Sequence, residues 1–176
     1  MTLDWIRMLF DYNYWAERRL LDFMGSMSLA KLTGQMGYSW GSPKALLVHM
    51  LSAEWLWRQR WLGTSPSALL DPEEFPDMAA IRARWTQDEM EMRAFLTGLV
   101  ENDLQREVRY ITTTGEPGKE LLGQLLFHVL NHSNHHRGEL AAMLALLDVP
   151  HPEDDLLFYF REGAYPDSAK VVRNPV

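Results

Sequence analysis

The sequence predicts an all-α fold: a four-helix bundle with long inter-helix connections and a C-terminal tail packed on it. Three observations lead there. Four segments place apolar residues at helical spacing. Stretches rich in Gly, Ser and Pro separate them. Only residues 107–116, EVRYITTTGE, favour extended backbone through Val, Tyr, Ile and three Thr. A chain of 176 residues fits one domain over 1–176, with a core at about 1–150 and a tail at 151–176.

The first helix spans about Leu3 to Met24. Ile6, Leu9, Phe10, Ala16, Leu20 and Phe23 form its stripe, which Asn13 interrupts, and Gly25 and Ser26 stop it. Met27 to Gly41 reads as loop. Ser42 and Pro43 open the second helix, since Ser at the N-cap and Pro at the first turn leave few backbone donors unsatisfied. This helix runs to Trp61 or Leu62, before Gly63. A Ser/Pro/Asp-rich link, Thr64 to Pro76, leads to the third helix, about Asp77 to Leu99. A strand-like connection follows, with a turn at Gly115 and Pro117. The fourth and longest helix covers about Lys119 to Leu147, and Pro150 and Pro152 end it. The first half of the tail, with Leu156, Phe158, Tyr159 and Phe160, is expected to pack on the bundle. The last ten residues are expected to be loosely held. The long links permit an order other than up-down-up-down.

Composition removes several functions. The net charge is −7, and no basic cluster is present to follow a phosphate backbone, so nucleic acid is not the expected partner. The chain has no cysteine, which excludes disulfides, thiolate ligands and a cysteine nucleophile. No run of about 18 apolar residues is present and no membrane span is expected. The N-terminus does not read as a signal peptide. The expected location is the cytoplasm.

The chemistry lies in the histidines. His132 and His136 are four residues apart on the fourth helix, hence one turn apart on one face. His49 stands on the second helix, sharing a face with Leu46, Ala53 and Trp57. Neighbouring helices pack about 8–10 Å apart, so such imidazoles can converge on one ion at about 2.0–2.1 Å per bond. His128 extends the row and can replace one ligand, serve behind them, or take part in proton transfer. The row shares a stripe with Leu121, Leu125, Met143 and Leu147 and is expected to face the core. One buried imidazole is easily satisfied by a carbonyl; three in a row need a metal, a carboxylate or trapped water. His135 is expected to face a neighbouring helix or solvent, and His151 the surface. Glu139, three residues beyond His136, can orient a ligand or act as a general base. Glu54, Asn13 and Asn131 are further candidates for supporting the site, and Trp55, Trp57 and Trp61 read first as packing.

Three sequence segments resemble the DinB family, within the DinB/YfiT-like superfamily. They are DYNYWAERRLL from Asp11 to Leu21, His49 followed by Ala53, Glu54 and Trp57, and a segment similar to HVxNHxxxHRGQ. The last is matched by His128, Val129, Asn131, His132, His136, Arg137 and Gly138, with Glu139 where the family usually has Gln. The resemblance implies a four-helix bundle and a divalent metal, Ni²⁺ or Zn²⁺, on His49, His132 and His136. It implies a homodimer, which the abundance of Trp, Leu and Met on several helical faces also favours. It further implies a low-molecular-weight thiol as co-substrate in some relatives. The resulting expectation is a metal-dependent enzyme of thiol-transferase or hydrolase type acting on a small molecule. The alternatives are a non-catalytic metal-binding stress-response protein and a metal-free structural protein.

Overall fold

The computed structural model describes residues 1–163. In chain order these form α1 (Leu3–Met24), α2 (Leu29–Thr33), α3 (Pro43–Trp61), α4 (Met78–Thr97), β1 (Glu107–Ile111), β2 (Pro117–Leu121), α5 (Leu122–Leu146) and α6 (Leu156–Arg161). The protein is mostly helical, and its four long helices lie where periodicity places them. Their starts are chemically marked. Thr2, Ser42 and Asp77 accept hydrogen bonds from Trp5, Ala45 and Ala80, each relieving a first-turn N–H that has no helical partner.

Two short elements depart from the sequence reading. α2 falls in the segment read as loop; Ser28 caps it and only Leu32 is buried. β2 occupies residues assigned to the start of the fourth helix. Nothing in Pro-Gly-Lys-Glu-Leu favours a strand locally. A turn at Thr112–Gly115, with Gly115 at φ 88°, folds the chain back so that β1 finds a partner in antiparallel register, Tyr110 opposite Gly118. Tertiary pairing has overridden local propensity.

Side-chain pairs fix the helix directions. α1 and α4 run antiparallel, because Arg7 reaches the carbonyls of Leu96 and Leu99 while Arg82 pairs with Asp22. α3 and α5 are antiparallel as well: His49 meets His132, and Trp57 meets His128. α3 and α4 are parallel, with Arg58 on Asp88 and Trp61 on Phe95. Parallel neighbours need a connection that returns along their whole length, which explains the long Ser/Pro/Asp-rich link. The order is therefore up-down-down-up.

Beside a small cluster of Met8, Trp15, Ala16 and Tyr159, the apolar interior has two main parts. One holds Ile6, Phe10, Met92, Leu125, Leu126 and Val129; the other holds Leu21, Met24, Leu47, Ile81, Leu140 and Met143. Between them lies a buried polar layer. Asn13 donates to Glu17, Trp85 donates to the other Glu17 oxygen, and Arg137 donates to Asn13. Tyr14 donates to Glu54 at 2.5 Å. Burial pushes the Glu17 carboxyl up to about 7 and the Glu54 carboxyl well above the usual range. A raised carboxyl holds its proton in the folded state after the unfolded chain has lost it. Stability from this group is therefore highest below the ordinary carboxylate pKa and falls as pH rises toward 7. Glu17→Gln is expected to flatten the dependence of unfolding free energy on pH between about 5 and 8, by up to about 3 kcal/mol, read by urea titration at several pH values.

Of the tail residues expected to pack, Tyr159 is buried, Leu156 and Phe158 are partly buried beside it, and Phe160 is exposed. Tyr159 of α6 is buried edge-on against Tyr12 and Trp15 of α1. The tail's final ten residues lie outside the described residues. Among the described residues no helix is long and apolar enough to cross a membrane.

Candidate metal centre

Antiparallel packing of α3 on α5 sets His49 opposite two histidines one turn apart. Nε2 of His49 lies 3.2 Å from Nε2 of His132, and Nε2 of His136 lies 3.2 Å from the same atom. One ligand nitrogen from each of the three lies within 4.8 Å of the others. Four-coordinate binding with bonds near 2.05 Å separates adjacent donors by about 3.3 Å.

Hydrogen bonding alone cannot satisfy this cluster. An imidazole nitrogen carries either one N–H or one lone pair, yet Nε2 of His132 faces two neighbours. His136 sharpens the conflict. Its Nδ1 donates to Oε2 of Glu139 at 2.6 Å, so Nε2 is the nitrogen it turns toward His132. Burial, reinforced by the neighbouring His136, pushes His49 down to about 4 and His132 down to about 3. Neutral rings with converging lone pairs are the donor set a divalent cation takes. The residues present therefore fit such an ion.

Each ring is held differently. His136 is buried, and Glu139 fixes its tautomer. Burial opposes it, but hydrogen bonds from His136 and Ser39 hold the Glu139 carboxyl below the ordinary range. His49 has no such acceptor, and its Nδ1 is buried without a partner. Trp40 holds the ring instead, stacked at 3.7 Å and 16°. Both Ser39 and Trp40 come from the Met36–Gly41 turn, closed by Met36 N–H to Gly41 O at 2.8 Å. Gly41 sits at φ 85°, where a side chain would be strained and would also strike the Gln35 amide. Sequence reasoning passed over both residues. Their signal was a tryptophan between glycines in Gly-Tyr-Ser-Trp-Gly, in a stretch otherwise read as plain loop.

Several expectations change. Of the histidine row only His136 is buried. His128 is exposed, and His49 and His132 are half-buried along a groove between α3 and α5. The core face of α5 belongs to Leu125, Leu126, Val129, Leu140 and Met143, one side over. His128 rests edge-on against Trp57, with ring centroids 5.9 Å from His132, and does not join the cluster. Glu54 and Asn13 belong to the inner polar layer. Asn131 lines a cavity of about 460 Å³ on the opposite side of α5, with Tyr12, Asn134, Arg137 and Asp154. Trp57 borders the groove, Trp61 packs in the core on Phe95, and Trp55 lies under Arg84. His151 is exposed, and so is His135, at 64 % for its side chain. A second grouping, His135, His136 and Glu139, also lies within ligand distance. There His136 already spends Nδ1 on Glu139, which makes the carboxylate a support for the first cluster.

Fold and cluster together define a mostly helical protein with a three-histidine group that can hold a metal ion. A model of the DinB family matches residues 2–167, nearly the whole chain, and the protein belongs to that family. No curated protein matches the chain.

Glu139→Gln is expected to leave the fold and the metal stoichiometry unchanged while weakening nickel or zinc affinity by about 10-fold. An amide oxygen still accepts from His136 Nδ1 but carries no charge. Competition against a chromogenic chelator reads this directly.

Proposed function

We propose that the protein is a metal-dependent enzyme of thiol-transferase or hydrolase type, built as a four-helix bundle. His49, His132 and His136 hold one divalent ion, Ni²⁺ or Zn²⁺. The observation that carries this reading is the convergence of three Nε2 atoms, two of them 3.2 Å from the single hydrogen-bonding site on Nε2 of His132. When bound, the ion supplies Lewis acidity that makes a water or a thiol more acidic at neutral pH. The chain's own residues do the rest. Glu139 keeps His136 in the tautomer that offers Nε2 to the site, and Ser39 anchors Glu139. Trp40 orients His49 and covers one side of the cluster while remaining 46 % exposed itself. His128, exposed in the groove beyond His132, is placed to accept or return a proton from a small-molecule substrate. With no cysteine in the chain, a thiol used here must be a low-molecular-weight co-substrate.

Catalysis is favoured over a purely structural metal by two features. Among the described residues, no fourth side chain joins the cluster of His49, His132 and His136. Half-burial of His49 and His132 also leaves the site in contact with solvent. Structural sites are closed by four protein ligands, whereas catalytic sites keep a position free. The test is to load the purified chain with nickel or zinc and assay a small thiol plus an electrophile beside ester and amide substrates. Metal-dependent turnover in either arm supports the reading. Stoichiometric metal with no turnover in any arm points to the non-catalytic, stress-response alternative.

The same reading makes the protein a cytoplasmic homodimer. Exposed Trp5, Phe127, Leu157 and Phe160 supply apolar surface for a second copy. Sedimentation is expected to give a mass near twice 20.4 kDa, and a concentration-independent mass near 20.4 kDa would refute the dimer.

A further inference from the structure

Arg60, near the end of α3, is an arginine without a counter-ion. The residue is only 5 % exposed. Its guanidinium lies 4.6 Å from the centre of Trp57 and 4.8 Å from the centre of Tyr110, two rings that meet edge-on at 5.0 Å. Among the described residues it makes no ion pair or hydrogen bond, and its buried Nε has no partner. The other deeply buried arginines are matched: Arg58 by Asp88 and Glu91, Arg137 by Asp154. Ring faces recover only part of the hydration that a buried cation loses, so Arg60 still lacks an anion.

The surroundings are built rather than incidental. Tyr110 of β1 lies across Gly118 of β2, its partner in register, where any Cβ would overlap the phenol ring. Gly118 thus keeps Tyr110 against Arg60 and Trp57. Trp57 in turn touches His128, and His128 leads to His132. Arg60 therefore stands at the end of a line of ring contacts, His132 to His128 to Trp57, that begins at the histidine cluster. At 1.5 Å of rise per residue, His49 and Arg60 are separated by about 16 Å along α3.

We propose that Arg60, held against Trp57 and Tyr110, recognises an anionic group, a carboxylate or a phosphate, at the end of the substrate remote from His49, His132 and His136. The link to substrate rests on the metal-enzyme reading above; the anion site itself does not. A planar guanidinium packed against two rings keeps its five N–H donors for a ligand, and their fork suits the paired oxygens of either group.

Calorimetric titration of the chelator-treated full chain with inorganic phosphate, and separately with acetate, tests this. The net charge of −7 opposes non-specific anion binding. Saturable binding of at least one anion is expected, and the stronger arm identifies the class. Arg60→Met is expected to weaken that binding at least 10-fold, with an unfolding midpoint equal to or above that of the parent, because a buried unpaired cation has become apolar. Should the methionine variant fail to fold, Arg60→Gln is read in its place with the same loss expected. No saturable heat with either anion would overturn the proposal. So would unchanged affinity in the folded variant. Nickel uptake by the same samples separates the two readings. Phosphate or acetate binding without nickel uptake removes the metal centre and keeps the anion site, and the reverse result removes the anion site alone.

Discussion

His132→Ala is expected to fold normally and to lose its metal. His132 is the middle member of the cluster, since its Nε2 is the atom that both His49 and His136 approach at 3.2 Å. Its removal leaves two imidazoles with no shared neighbour. Supporting residues around a metal typically contribute 10–100-fold in affinity, so loss of a direct ligand is expected to weaken binding by at least about 100-fold. Activity should disappear with the metal. The His132 side chain is only half-buried and borders solvent, so its removal opens no closed cavity. The metal-free fold is therefore expected to change little in stability. Elemental analysis after dialysis, paired with a thermal melt, separates loss of metal from loss of fold.

Arg58→Ala is expected to produce the largest loss of stability. Arg58 is 1 % exposed and Asp88 3 % by side chain; Nη2 of Arg58 lies 2.5 Å from Asp88 and 2.5 Å from Glu91, and Nη1 donates to the Asp88 carbonyl at 2.9 Å. This pair ties α3 to α4. Deleting one member leaves a buried carboxylate that Arg84 alone must serve. Breaking such a pair costs about 3–5 kcal/mol. Arg58 lies on the same helix as His49, so the loss should also loosen the histidine cluster. Urea unfolding of metal-free and metal-loaded samples measures both effects. A change below about 1 kcal/mol would show that Asp88 finds water or another partner.

The long helices were legible because their signals are local. Ser42 with Pro43 marks a helix start whatever surrounds it, and the Ile6–Phe10 and Met92–Leu96 spacings select one buried face. The histidine cluster was legible for a related reason. A four-residue interval on one helix sets two rings together, and a single upstream histidine on another apolar face can only meet them by packing. What failed was non-local. β2 exists because β1 and the Gly115 turn impose it, against the preferences of its own residues. His128 shares the spacing of the row, yet the core face of α5 is turned just far enough to leave it in solvent. Asn13 and Glu54 read as possible supports of the metal. Their partners Arg137, Glu17 and Tyr14 lie in a polar layer that no single-helix pattern reveals. Ser39 and Trp40 reach the site through a turn whose left-handed residues become informative only when its path is known.

The central claim is that three imidazoles bind one divalent ion in a site that retains an open position. X-ray absorption on the nickel- or zinc-loaded chain tests it most directly. The account predicts one ion per chain. It predicts a first shell with three imidazole nitrogens at about 2.0–2.2 Å and at least one non-protein oxygen, with imidazole scattering reduced and metal lost in His49→Ala and in His132→Ala. A chain that fails to retain either metal after dialysis would contradict it, as would a His49→Ala variant that keeps the metal with the first shell unchanged.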